Sequence, residues 1–233
     1  MRKTVASAFV FLISACTAAE LRAASDSNQE DEPFGMTASS AAENSTTWQE
    51  WKKVIADADA ELHKLETCRA QRDCNAAEEK YAAIVKEARD KDGRAKIEYV
   101  HKRINGEIRY EPDPAQWGLP DHWSLPADVE GKGSLNTGVG DCEDYALAKY
   151  LILLDARFPD KDLRILLVHD NFVKADHAVL AARLDHKWLI LDNRFDRLYE
   201  DKDLKQFKPL MVVDTQGVHY LSKMFRIADA YDP

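Results

Sequence analysis

The hydrophobic spacing of this chain changes period at Pro159, and that change restricts the fold more than any other feature of it. Upstream, apolar residues recur at three- and four-residue intervals. Trp48, Trp51, Ile55, Ala58, Leu62 and Leu65 form one such run, Ala77, Tyr81, Ile84, Val85 and Ala88 a second, and Ile97, Val100, Ile104 and Ile108 a third. Stripes of this kind bury one face of a helix. Thr47 followed by Glu50 has the form of a capping box for the first of them. Downstream the β-branched content rises and alternation sets in, so 163–169, 177–184 and 187–192 read as strands, with two more at 210–213 and 218–220. Helices first and an antiparallel sheet after give an α+β domain.

The first residues belong to export rather than to the fold. Arg2 and Lys3 precede a mostly apolar stretch, 5–13, that is too short to span a bilayer, so 1–18 reads as a secretory signal peptide. Ile13-Ser14-Ala15-Cys16 also has the form of a lipoprotein processing site, which would lipidate Cys16; cleavage after Ala18 would instead leave no anchor. Residues 19–45 are polar and poor in large apolar side chains and read as a flexible linker, which leaves 46–233 as a single domain. The chain carries 41 acidic against 32 basic residues, a net charge of -9. That balance argues against nucleic-acid binding, which needs a concentrated basic surface. Cys68 and Cys74 flank a turn between two helical runs, and in an oxidising compartment they could close a disulfide if their Cα atoms come within about 7 Å. Cys142 is then left as a lone thiol.

Residues 111–141 are punctuated by proline and glycine, with Trp117, Trp123 and Leu125 to bury, and they deliver the chain to Gly140-Asp141-Cys142-Glu143-Asp144 at the mouth of a helix over 143–158. A helix N-terminus favours a thiolate through its unpaired N–H groups. Gly138 and Gly140 would let the backbone turn and leave room for a substrate main chain. The three acids oppose a thiolate unless they point elsewhere or bind a cation. A base must come from His169, His177, His186 or His219. If Asp185-His186 is a two-residue turn, Leu184 faces Lys187 and Val179 faces Asp192, so His177 and Asp192 become diagonal neighbours on one face, roughly 7 Å apart at Cβ. Cys142, His177 and Asp192 thus form a candidate nucleophile, base and orienting acid. The plainer readings are an inert buried cysteine, a strand histidine bonded to the backbone, and a turn-forming aspartate. His186 reads as a turn residue and His169 as a surface cap.

The strings Gly140-Asp141-Cys142-Glu143-Asp144-Tyr145-Ala146, Ala148-Lys149-Tyr150, Ala175-Asp176-His177-Ala178-Val179 and Leu191-Asp192-Asn193 resemble the bacterial transglutaminase-like cysteine peptidases of the papain/transglutaminase superfamily, including the LapG-type periplasmic proteases that release biofilm adhesins. The resemblance extends over most of 95–221. It implies a papain/transglutaminase-like fold and a periplasmic cysteine endopeptidase with Cys142 as nucleophile, His177 as base and later acid, and Asp192 as orienter. It also implies calcium beside the nucleophile, on Asp141, Glu143 and Asp144, with further ligands from Asp113, Asp121, Asp128 or Glu130. Its partners would be a protein substrate such as the N-terminal retention region of a surface adhesin, and a membrane receptor that sequesters the protease. The interval from Pro126 to Cys142 is longer than the family spacing, with 128–133 as the extra material. A transglutaminase or other amidase using the same triad, and a non-catalytic binding module, are the competing readings.

Overall fold

The computed structural model describes residues 32–128 and 131–223. The signal segment, Cys16, the linker as far as residue 31, and Glu130 lie outside the described residues.

Four long helices occur among the described residues: α1 (Thr46–Gln71), α2 (Ala76–Arg89), α3 (Gly93–Glu107) and α4 (Cys142–Asp155). The apolar stripes place the first three correctly, but α1 starts on a different cap. Ser45 Oγ accepts from the Trp48 N–H at 3.0 Å, so Ser45 is the N-cap in place of the expected Thr47–Glu50 box. A full capping box instead opens α2, where Asn75 and Glu78 satisfy each other's backbone N–H groups. At its other end α1 closes on Arg72 in the left-handed region (φ 58). That turn returns Cys74 to the last helical turn, where a disulfide joins it to Cys68 with the Cα atoms 4.7 Å apart.

Seven strands build one antiparallel sheet: β1 (Met36–Ala41), β4 (Leu163–Asp170), β5 (Ala175–Leu184), β6 (Lys187–Leu191), β7 (Tyr199–Glu200), β8 (Phe207–Asp214) and β9 (Gly217–Lys223), in the order β1-β9-β8-β4-β5-β6-β7. A short parallel ladder pairs β2 (Arg109–Tyr110) with β3 (Val139–Gly140) and gathers both ends of the long loop. The expectation of a flexible linker running to residue 45 is corrected here, because Met36–Ala41 is an edge strand on β9. The composition argument weighs side chains alone. An edge strand is held by main-chain hydrogen bonds, which small polar residues make as well as large apolar ones. Gly217 (φ 130) lets β9 pass beneath α1, since a Cβ there would lie 2.7 Å from the Trp48 ring.

The sheet buries both faces. Ile165, Leu180, Leu191 and Val213 pack with Ile97, Val100 and Ile104 of α3 and Leu147 and Ile152 of α4. Leu166, Val179, Ile190 and Val212 form the other face with Trp188 and Phe207. Each such side chain, fully buried, contributes on the order of 1.5–3 kcal/mol. The β5–β6 turn is the expected one. Asp185 (φ 50) and His186 (φ 61) both take the left-handed conformation of a type I′ hairpin, Leu184 pairs with Lys187, and Leu180 with Leu191.

Candidate active site

Cys142 opens α4, with Asp141 as N-cap. What holds this corner is Asp144. Its Oδ1 accepts from both the N–H and the hydroxyl of Ser124 at 2.9 Å, and its Oδ2 accepts from the Asp141 N–H at 3.2 Å. A Cβ on Gly140 would lie 2.8 Å from Asp144 Cβ. The space that glycine leaves is therefore filled by Asp144, and the expectation that Gly140 makes room for a substrate main chain is corrected. The Glu111 N–H donates to the Gly140 carbonyl at 3.0 Å, and the Tyr145 hydroxyl donates to the Ile108 carbonyl, which ties the loop to α4.

On the opposite wall, His177 is the third residue of β5, and its Nε2 lies 3.0 Å from Asp192 Oδ1. Asp192 follows β6 directly and is 1% exposed. With Nε2 donating to the carboxylate, Nδ1 is the ring nitrogen left to act as a base. Arg194, which the sequence reading passed over as a site residue, donates from its backbone N–H and guanidinium to Asp192 and from Nη1 to Asp170 Oδ2 at 3.0 Å. The only sequence signal for it is its place two residues after the acid. Burial pushes the Asp192 carboxyl upward, but hydrogen bonds from His177 and Arg194 outweigh this and hold it well below the usual carboxylate range. The His177 ring packs against Phe207, centroids 6.2 Å apart.

Cys142, His177 and Ala178 line one cleft of about 390 Å³ with Asp113, Asp121, Asp141, Glu143 and Trp123, at the end of the sheet where β5 begins. The Cys142 thiol donates to Glu143 Oε2 at 3.2 Å. Burial, then the Glu143 carboxylate, push that thiol well above its ordinary range, while the Ala178 N–H opposes them. The neighbouring acids are pushed up as well. Burial and then Asp141 raise Glu143 to about 11 and Asp113 to about 6, and burial raises Asp144 to about 7 against the Ser124 hydrogen bonds.

These carboxylates suit a hard cation. Ligand atoms of Asp113, Asp121 and Glu143 lie within 4.8 Å of one another, as do those of Asp113, Asp141 and Asp144. Asp113 Oδ1 and Asp141 Oδ1 are buried without a hydrogen-bond partner. An all-oxygen set with orphaned buried oxygens fits calcium better than a softer metal. Of the expected trio, Asp144 has both oxygens engaged in bracing the loop. Of the four loop candidates, Asp113 and Asp121 reach the corner, Asp128 lines a separate cavity with Glu61 and Lys132, and Glu130 is outside the described residues. Sequence separation alone could not choose among them. His169 pairs with Asp176 at 2.7 Å on the surface, and His186 is in the hairpin turn.

No curated protein sequence matches the chain. Solved structures similar in fold include Legionella pneumophila LapG, at 22% identity over 68% of this chain and 87% of that one with a TM-score of 0.55, and its calcium-bound form, at 24% over 70% and 88% with a TM-score of 0.57. The sequence pattern of the family described as bacterial transglutaminase-like cysteine proteinase BTLCP matches residues 57–205, which span α1 to the loop after β7. The chain belongs to the bacterial transglutaminase-like cysteine proteinase family.

Proposed function

We propose that Cys142, His177 and Asp192 are the triad of a periplasmic cysteine endopeptidase that cuts a protein substrate. The observation that carries this reading is the 3.0 Å His177–Asp192 pair opening on the cleft that holds Cys142. His177 Nδ1 takes the thiol proton as the sulfur attacks the scissile carbonyl, with Asp192 fixing the tautomer and stabilising the imidazolium. The backbone N–H of Cys142, at the start of α4, faces the developing oxyanion. Collapse breaks the C–N bond, the imidazolium returns its proton to the leaving amine, and a thioester remains on Cys142. Water, deprotonated by His177, then releases the acyl product and restores the thiol.

Calcium on Asp113, Asp121, Asp141 and Glu143 would supply the positive charge that lets these acids stay ionised beside a thiolate. The calcium-bound relative supports this assignment. The resemblance points to the N-terminal retention region of a surface adhesin as substrate and to a sequestering membrane receptor as partner. It agrees with a mature chain in the periplasm, soluble or anchored at Cys16.

The test incubates the purified protein with N-terminal regions of surface adhesins from the same organism, in calcium or in chelator, beside Cys142→Ala. Calcium-dependent cleavage by the native chain alone is the expected result. Cleavage by Cys142→Ala, or none by the native chain on any candidate, overturns the adhesin reading, and undiminished cleavage in chelator overturns the metal assignment.

A further inference from the structure

Behind the cleft, two helices reach the strand end that carries Asp192, and they do so through fully buried polar side chains. Lys149, on the same helix as Cys142, is 0% exposed and donates from Nζ to the Leu191 carbonyl at 3.1 Å. His101 of α3, also 0% exposed, approaches the Phe195 carbonyl through Nε2 at 2.8 Å. Asn105, one turn further along α3, donates to that same carbonyl at 3.1 Å. Because a carbonyl only accepts, His101 holds its proton on Nε2. Between the two anchored carbonyls lies the turn Asp192-Asn193-Arg194-Phe195, closed by the Phe195 N–H on the Asp192 carbonyl at 3.2 Å.

We propose that Lys149, together with His101 and Asn105, is a positioning set for the triad, clamping the main chain on both sides of Asp192 so that its carboxylate meets His177.

A fold does not need an ammonium here. Burying one carries a large desolvation cost, and methionine or leucine would fill the space without it. Burial pushes Lys149 down to about 7, with the Asp192 charge opposing. Burial likewise drives His101 down to about 3, so it stays a neutral donor at any pH where the enzyme would act. Lys149 also makes the distance between nucleophile and acid a property of one rigid body, because the helix that starts at Cys142 grips the strand that ends at Leu191. None of these groups lines the cleft, so none touches substrate.

This inference rests on the triad assigned above, and the test separates the two. The second-order rate of Cys142 alkylation by iodoacetamide, with calcium present, is measured against pH for the native chain, His177→Ala, Lys149→Met and Asn105→Leu, beside their melting temperatures. A native rate no faster than that of His177→Ala means the triad itself is wrong. Given a His177-dependent native rate, Lys149→Met should react about tenfold slower or more with a displaced pH profile, and Asn105→Leu a few-fold slower, because small misplacements of a catalytic group cost that much. A folded Lys149→Met with the native rate and profile overturns the proposal. If Lys149→Met does not fold, Asn105→Leu decides, and a native rate and profile from it overturn the proposal equally.

Discussion

The two walls of the cleft treat buried carboxylates in opposite ways. Asp192 on the hairpin wall is 1% exposed and Asp113 on the loop wall is also 1% exposed. Yet Asp192 is held well below the usual carboxylate range and Asp113 is pushed up to about 6. Equal burial means the desolvation cost is not what separates them. Asp192 receives His177 and the fork of Arg194, whereas the groups acting most strongly on Asp113 and Glu143 include other acids and no lysine or arginine. The hairpin wall is electrostatically complete from the chain's own residues. The loop wall is a set of oxygens that a cation from outside would complete, and the two assignments can be broken separately.

The largest expected effect is on the complete wall. Asp192→Asn keeps the shape but removes the charge that, in the proposed triad, orients and stabilises the imidazolium, so the turnover rate should fall by about 10³-fold or more. Added calcium should not restore it. Restoration by calcium would mean that the hairpin wall also depends on the ion.

Next comes the loop wall. Calcium at about 100 times its dissociation constant should stabilise the protein by about 2.7 kcal/mol, which for a domain of this size raises Tm by roughly 5–10 °C. Asp141→Asn should lose most of that increase in differential scanning calorimetry. An unchanged increase would place the ion elsewhere.

The walls should also respond oppositely to pH. Asp113 has its folded value raised from 3.8 to about 6, so the folded state binds more protons than the unfolded one between those values, and its contribution falls as pH rises through that window. Asp192 has its folded value lowered from 3.8, so its contribution is full above that value and is lost only in stronger acid. In chelator, melting at about pH 5 should therefore exceed melting at about pH 7.5, with calcium narrowing or reversing the gap because it replaces the protons on the loop wall. An equal gap with and without calcium would mean that these acids do not bind it.

The hairpin wall was the legible one. A two-residue turn at Asp185-His186 sets a register in which every later pair follows, so the nearness of His177 and Asp192 could be read from spacing. The loop wall was not, because Asp113 and Asp121 reach Glu143 through an irregular segment that no periodicity describes. Gly140 was misread for a related reason: its neighbour is a side chain four residues later that folds back on it, and glycine alone does not say what fills the space it leaves. The strand at Met36–Ala41 was hidden because main-chain pairing leaves little mark in composition. Lys149 and His101 fall at helical spacing from Tyr145 and Ile152 and from Ile97 and Ile104, so periodicity sets them on buried faces, but it does not show the Leu191 and Phe195 carbonyls that they bond there.

The smallest effect marks where the hairpin wall ends. His169 and Asp176, the latter next to His177 in sequence, form a second histidine–aspartate pair at 2.7 Å. Their side chains are 37% and 76% exposed, against 8% and 1% for His177 and Asp192. Water screens an exposed pair of this kind, so it contributes little to stability or to the site. His169→Gln should leave Tm unchanged within error and Cys142 alkylation within about twofold of native. A larger loss would mean that His169 steers Asp176, which lines the cleft beside His177, and the complete wall would then extend to the protein surface.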